Sequence, residues 1–289
     1  MAGNRSATRY AWPMSSLDVS SAVIPLNSGA NIPQVGLGVW QTPRDVAHQV
    51  VATALRLGYR HVDTARIYGN EGDVGIGVRD SGIARDQVFV TTKLWNDDQG
   101  FDSALRAFDA SLGRLGLDYV DLYLLHWPVA GKRLDSWRAL ERLHADKRAR
   151  AIGVSNFMPP HLEELLARAQ VVPAVNQIEV SPFLQQRETR ALCARHGIVV
   201  EAYSPLTHGR RLGHPAVKEV AARVGRSPAQ VLIRWSIQHG MVVLPKSTRE
   251  PRIRENAAVF DFTLDAAAMS ALDACEEGFV TGWDPRDQL

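Results

Sequence analysis

Two hydrophobic rhythms alternate along the chain. Short apolar runs of strand length are centred on Val62, Val90, Tyr123, Ile152, Gln177, Val200 and Val243. The run Ala258-Val259-Phe260-Asp261-Phe262 supplies an eighth. Between them, apolar residues fall three and four positions apart, which places them on one face of a helix. These stretches are Asp45 to Leu57, Asp102 to Leu115, Leu134 to His144, Pro160 to Ala169, Glu188 to His196 and Ala229 to Gln238. Ahead of them, Val23 to Leu26 and Ile32 to Val35 flank Gly29 as a hairpin would.

Strands that alternate with helices form parallel sheets whose outer faces the helices cover. Eight such units predict the α/β class and a single (β/α)8 TIM barrel with an N-terminal β-hairpin; an open doubly wound sheet is the weaker alternative. The expected division is a flexible extension over residues 1–20 and one barrel domain over 21–289. No Pro/Ser-rich linker interrupts the pattern.

Composition narrows the function. Of 289 residues 45% are apolar and 22% charged, and the net charge is +2. That balance favours neither a nucleic-acid partner nor a membrane surface. Cys193 and Cys275 make no disulfide framework or thiolate metal site, so no metal is expected. No apolar stretch approaches the length of a membrane span, and Met1 to Ser20 lacks the pattern of a signal peptide. A monomeric cytoplasmic enzyme acting on a small molecule is the expectation.

The chemistry collects at the ends of the apolar runs. Asp63 closes His61-Val62-Asp63, Tyr68 follows five residues on, Lys93 closes Val90-Thr91-Thr92-Lys93, and His126 closes Leu124-Leu125-His126. In a barrel the carboxyl ends of the strands share the face that holds the chemistry, so these groups should converge. Further along come Ser155-Asn156, then Gln177, whose side chains could hold a carboxamide. Tyr203 offers a ring for stacking and is followed by Ser204 and Leu206. Lys246 and Ser247, with Arg249 and Arg252, bring cations and a hydroxyl suited to a phosphate. A Gly-rich dinucleotide fingerprint is missing: Gln41 stands where the third glycine after Gly36 and Gly38 belongs. A dinucleotide would therefore lie across the barrel mouth.

With these residues in view, the chain resembles the aldo-keto reductase family. The stretches that carry the likeness are Gly36-Leu37-Gly38-Val39-Trp40, Asp63-Thr64-Ala65 with Tyr68-Gly69-Asn70-Glu71, and Thr92-Lys93-Leu94-Trp95. Leu125-His126-Trp127-Pro128, Gly153-Val154-Ser155-Asn156-Phe157 and Asn176-Gln177-Ile178-Glu179 continue it. Ala202-Tyr203-Ser204-Pro205-Leu206, Pro245-Lys246-Ser247 and Arg252-Ile253 with Asn256 complete it. The resemblance implies reduction of aldehydes or ketones with NADPH. It also implies a cofactor site of Ser155, Asn156, Gln177, Tyr203, Ser204, Leu206, Lys246, Ser247, Arg252 and Asn256. Trp40, Trp95 and Trp127 would face the substrate.

The expected mechanism gives each of the four charged or polar groups a part. Tyr68 donates the proton, Lys93 lowers its pKa, Asp63 pairs with Lys93, and His126 orients the carbonyl oxygen. Singly, each has a plainer reading as a rim cation, a turn cap, a packed imidazole or a loop aromatic. The short segment from Pro128 to Asp135 and the short tail after Glu276 predict a shallow, open pocket for small dicarbonyls or sugar-derived ketones.

Two departures from the family pattern bear on the cofactor. Val39 stands in place of a Thr, and the segment Lys246-Ser247-Thr248-Arg249-Glu250-Pro251-Arg252 has its proline displaced by one position. Other readings are an NADPH-binding, redox-sensing barrel with little turnover, and a hydrolase or isomerase using paired carboxylates. For the latter only Asp63 and Glu201 qualify at strand ends.

Overall fold

The computed structural model describes Val19 and residues 22–288. The expected extension over 1–20 therefore lies outside the described residues except for Val19, which is buried. Gly29, at φ 84°, turns the chain between strands β1 (Val23–Pro25) and β2 (Asn31–Pro33), which pair antiparallel.

Eight parallel strands follow. They are β3 (Leu37–Gly38), β4 (His61–Asp63), β5 (Phe89–Leu94), β6 (Val120–Leu125), β7 (Ala149–Ser155), β8 (Val175–Glu179), β9 (Val199–Tyr203) and β10 (Val242–Leu244). Each pairs with its neighbour in sequence order. A parallel bridge from Val35 to Val243 joins the two edges, with Gly36 N donating to Val243 O at 2.9 Å and Val243 N to Gln34 O at 2.9 Å.

The first barrel strand is thus β3, and the expected strand over Ala258–Phe262 is an irregular connection. Two physical features hid the difference. β3 is only two residues long and ends in glycine, so it carries almost no hydrophobic signal. In the 258–262 segment Val259 is buried, but Asp261 is exposed and pairs with Arg226 at 2.8 Å. Its apolar residues pack between helices and make no strand ladder.

Helices cover the outside where the three-and-four spacing places them. α1 (Arg44–Arg56) lies between β3 and β4, α3 (Phe101–Leu115) between β5 and β6, and α4 (Arg133–Ala145) between β6 and β7. α5 (Pro159–Leu166), α6 (Arg187–Arg195) and α8 (Pro228–Gln238) continue the ring. Four further helices fall in segments without that reading: α2 (Glu71–Asp80), α7 (Pro215–Val224), α9 (Glu250–Ala257) and α10 (Ala266–Asp273). Three glycines dilute the pattern of α2, and close packing requires two of them, Gly75 and Gly77. A Cβ on Gly75 would stand 1.8 Å from the Leu115 carbonyl oxygen at the end of α3.

Side-chain alternation along the strands divides the core. Leu122 and Leu124 share a face with His126 and pack with Phe89, Ile32 and Val242 in an inner cluster. Above it, still facing inward, stand His61, Asp63, Lys93, Gln177 and Glu201, all buried. A larger cluster that includes Phe108, Trp137, Trp235 and Leu272 seals the barrel against its helices. The barrel interior is therefore apolar below and ionisable above, with the functional groups at the strand ends.

Candidate active site

A cavity of about 1000 Å³ opens at the carboxyl ends of the strands. Its lining brings together Trp40, Asp63, Tyr68, Trp95, His126, Trp127, Ser155, Asn156, Gln177, Tyr203, Ser204, Leu206, Lys246, Ser247, Arg252 and Asn256. Lys93 lies behind this wall, with no exposed surface.

At the floor, β4 and β5 place Asp63 beside Lys93. Lys93 Nζ donates to Asp63 Oδ1 at 2.6 Å, to Oδ2 at 2.8 Å and to the Thr64 carbonyl at 2.9 Å. A 3-10 turn, Arg66–Tyr68, ends at Gly69 in the left-handed region and sets the Tyr68 hydroxyl 3.5 Å from the same nitrogen. The His126 ring stands edge-on to those of Tyr68 and Trp95, at 5.8 and 5.3 Å between centroids.

The electrostatics depart from the expectation for Tyr68. Burial first, then the charge of Asp63 and, once it ionises, that of Glu201, hold its phenol well above the usual range. The Lys93 charge is largely matched by the two Asp63 oxygens and does not offset these effects. Tyr68 therefore keeps its proton in the resting site. Burial, aided by the positive charge of Lys93, pushes His126 well below its ordinary value, leaving a neutral imidazole.

Strands β7 to β9 supply a polar shelf. Asn156, at φ 63°, donates to the His126 carbonyl at 2.9 Å and accepts from the Tyr203 hydroxyl at 2.8 Å. Asparagine adopts this left-handed backbone more readily than most residues, because its short amide can bond locally. Ser155 Oγ donates to the Gln177 carbonyl at 2.9 Å. Gln177 Nε2 donates to Asp63 Oδ2 at 2.8 Å and Glu201 Oε2 at 2.7 Å, so both of its N–H bonds are engaged. Only its carbonyl oxygen remains to meet a ligand amide.

The cationic end lies beyond β10. Lys246 Nζ reaches the Gln41 carbonyl at 3.5 Å, and Ser247 Oγ accepts from Arg249 N at 3.1 Å at the start of α9. Pro251 occupies the first turn of α9, where a missing N–H costs nothing, so its displacement leaves the helix intact. Arg252 and Asn256 line the cavity from that helix, whereas Arg249 lies outside the lining. Val39 is fully buried, and its carbonyl accepts from Asn70 Nδ2 at 3.0 Å.

The tail supplies a wall that the open-pocket expectation lacked. Glu179 at the end of β8 accepts twice from Thr281 N, at 2.9 and 3.2 Å. Arg211 pairs with Glu277 at 2.6 Å and stacks over Phe279 at 3.8 Å. Trp283, held beyond these anchors, meets Trp127 edge to face at 6.2 Å and lines the cavity. Nothing in its polar, glycine-containing surroundings marks Trp283 as a pocket residue. His61 was equally hidden, because it sits inside a strand whose hydropathy reads as core, and Glu201 was noted only as a strand-end carboxylate for the hydrolase or isomerase reading.

Among the described residues no cluster of three or more His, Cys, Asp or Glu is placed to hold a metal ion, and no helix is long and apolar enough to cross a membrane.

Comparison with known proteins agrees with this architecture. Residues 32–277 match the Aldo/keto reductase family. An aldo-keto reductase of Mycobacterium sp. (strain KMS) is 52% identical over 270 residues, covering 93% of this chain and 98% of that protein. A glyoxal reductase of Bacillus subtilis (strain 168) is 48% identical over 267 residues, covering 92% and 97%. A solved structure of a Gox0644 variant in complex with NADPH superposes with a TM-score of 0.87 at 45% identity, covering 91% and 97%. The eight-stranded barrel, the polar groups gathered at its mouth and these relatives place the chain in one group: it belongs to the aldo/keto reductase family.

Proposed function

We propose that the protein reduces small aldehydes and ketones, dicarbonyls foremost, to alcohols with NADPH, and that Tyr68 is the proton donor. The observation that carries this reading is the placement of a protonated Tyr68 and a neutral His126 on one cavity floor, over the Lys93–Asp63 pair.

The residues present suit the dinucleotide. Lys246, Arg252, Ser247 and Asn256 offer two cations, a hydroxyl and an amide where its adenosine phosphate would rest. Tyr203 offers a ring face, and Ser155, Asn156 and Gln177 offer polar groups, at the catalytic end. When bound, NADPH supplies the hydride to the carbonyl carbon.

The chain's own groups handle the oxygen. His126 Nδ1 is buried with no hydrogen-bond partner, and an orphaned acceptor there is cheaper than an orphaned N–H. Its hydrogen therefore sits on Nε2, where it can donate to the substrate oxygen. As negative charge builds on that oxygen, the Tyr68 hydroxyl gives up its proton. Lys93, held in place by Asp63, then lies nearest the phenolate left behind. Four tryptophans, Trp40, Trp95, Trp127 and Trp283, line the substrate end and leave room for small or flat carbonyl compounds. The Bacillus subtilis relative described as a glyoxal reductase supports the dicarbonyl choice.

Consumption of NADPH, followed by its absorbance with methylglyoxal, a simple aromatic aldehyde and a ketose, tests the proposal. Turnover fastest with the dicarbonyl is the expected result. Tight NADPH binding without turnover of any carbonyl would favour a redox-sensing barrel instead.

A further inference from the structure

Below the ion pair lies a second carboxylate that the proposed proton transfer does not use. Glu201, on β9, has no exposed surface. Its Oε2 accepts from Gln177 Nε2 at 2.7 Å, and the same nitrogen donates to Asp63 Oδ2 at 2.8 Å. One amide thus bridges two buried carboxyl groups. Its orientation is fixed, since turning it over would set its oxygen against both.

The two carboxyl groups have unlike surroundings. Asp63 is held by Lys93 at 2.6 and 2.8 Å. Glu201 touches no such cation: its Oε1 has no hydrogen-bond partner and faces His61 Nε2 at 3.5 Å. Burial, opposed by the Pro33 carbonyl and reinforced by the Lys93 charge, drives His61 down to about 3, so that ring is neutral. Titratable and charged groups face Glu201 from three elements: His61 and Asp63 on β4, Lys93 on β5, and Tyr68 on the turn after β4. β10 presents only valine and leucine, and β3 only leucine and glycine. Two carboxyl groups bridged by one amide nitrogen, only one of them paired with an ammonium, disfavour a second negative charge on the pair.

We infer that Glu201 is held as a neutral carboxylic acid, and that it acts as a positioning residue which fixes Gln177 and leaves Asp63 the only anion paired with Lys93. Its ionisation at alkaline pH then adds a second negative charge beneath Tyr68, opposes formation of the phenolate and slows carbonyl reduction. The kinetic half of this inference rests on the proposed role of Tyr68; the protonation half does not.

Burial and the charge of Asp63 push Glu201 up to about 8, against the weaker opposing effects of Gln177 and Lys93. Between its ordinary value of 4.5 and about 8, the folded protein keeps a proton that the unfolded chain releases. Stability contributed by Glu201 is therefore complete below that range and lost as pH rises through it.

Infrared spectroscopy of the whole protein, wild type against Glu201→Gln and Asp63→Asn, reads the proton directly. A buried carboxylic-acid carbonyl band should be present at neutral pH, vanish in alkali and be missing from Glu201→Gln. Its absence from the wild type, or its survival in Glu201→Gln together with loss in Asp63→Asn, overturns the inference. Thermal unfolding gives an independent reading: the wild type should lose Tm across that pH window relative to Glu201→Gln, and parallel curves count against it. In kcat–pH profiles only the position of the alkaline limb is read. It should move up by about one pH unit or more in Glu201→Gln. A limb that stays put while the band behaves as expected would sink the Tyr68 coupling alone.

Discussion

The Lys93 ammonium touches both carboxylate oxygens of Asp63, at 2.6 and 2.8 Å, although thirty residues of chain separate the two. Neighbouring strands bring them together, and neither side chain has an alternative partner of opposite charge that is closer. Removing one member leaves the other as an uncompensated buried charge. Lys93→Met should therefore cost about 3–5 kcal/mol of stability, and the double variant Lys93→Met/Asp63→Asn should recover much of it. Urea unfolding of the three proteins checks this. A double variant no more stable than Lys93→Met would mean that burial of Asp63 alone is tolerated.

Tyr68→Phe should lower kcat for carbonyl reduction by about two orders of magnitude or more, the range of a positioned acid. NADPH affinity should change by no more than a few-fold, because the hydroxyl faces the substrate side. Steady-state kinetics beside fluorescence titration separate the two effects. A variant retaining a quarter of the wild-type rate would remove Tyr68 as donor.

NADPH should be preferred over NADH by about tenfold or more in kcat/KM, since one effective charge-assisted pair contributes at least ~1.4 kcal/mol. Arg252→Ala should erode that preference through the KM for NADPH and leave the NADH parameters almost unchanged. Because Arg249 lies outside the cavity lining, Arg249→Ala should leave the preference in place. Equal use of both cofactors by the wild type would count against a phosphate site at Lys246, Ser247 and Arg252.

Gly75→Ala should be among the most damaging single-methyl additions outside the site. The new carbon would collide with the Leu115 backbone, which cannot move aside as a side chain could. Overpacking of this kind costs about 1–3 kcal/mol and occasionally more. Gly113→Ala, on α3 with open space around its Cβ position, is the control and should be neutral or stabilising. Comparable melting of the two variants would refute the packing argument.

What could be read from the sequence followed from the length and regularity of each signal. β5 and β6 are six residues each and buried throughout, so their apolar runs stood out. So did Asp63, Lys93 and His126, because a charge ending such a run breaks the pattern. β3 was too short to register, and the apolar residues of 258–262 imitated a strand because they pack between helices. For the site, residue type located Gln177 but not its partners. An amide suited to a ligand proved to have its nitrogen occupied by two carboxylates. Glu201 was legible as a strand-end carboxylate, but its surroundings depend on His61 and Asp63, more than a hundred residues away. Trp283 reaches the cavity through Glu179 and Thr281, a tether that no local pattern encodes.

The seam between β3 and β10 has a consequence for the life of the molecule. Gly38 N donates to Pro245 O at 3.2 Å, and Lys246 and Ser247 follow directly. The cationic end of the cavity is therefore assembled from opposite ends of the barrel sequence, and it exists only once the ring has closed. Before closure both edge strands stand open to other chains. A dinucleotide lying across that end fastens the ring, and at a hundredfold excess over its Kd it adds about 2.7 kcal/mol to the folded state. In the proposed reading, the supply of the dinucleotide, in either redox state, then helps set how long each copy survives proteolysis.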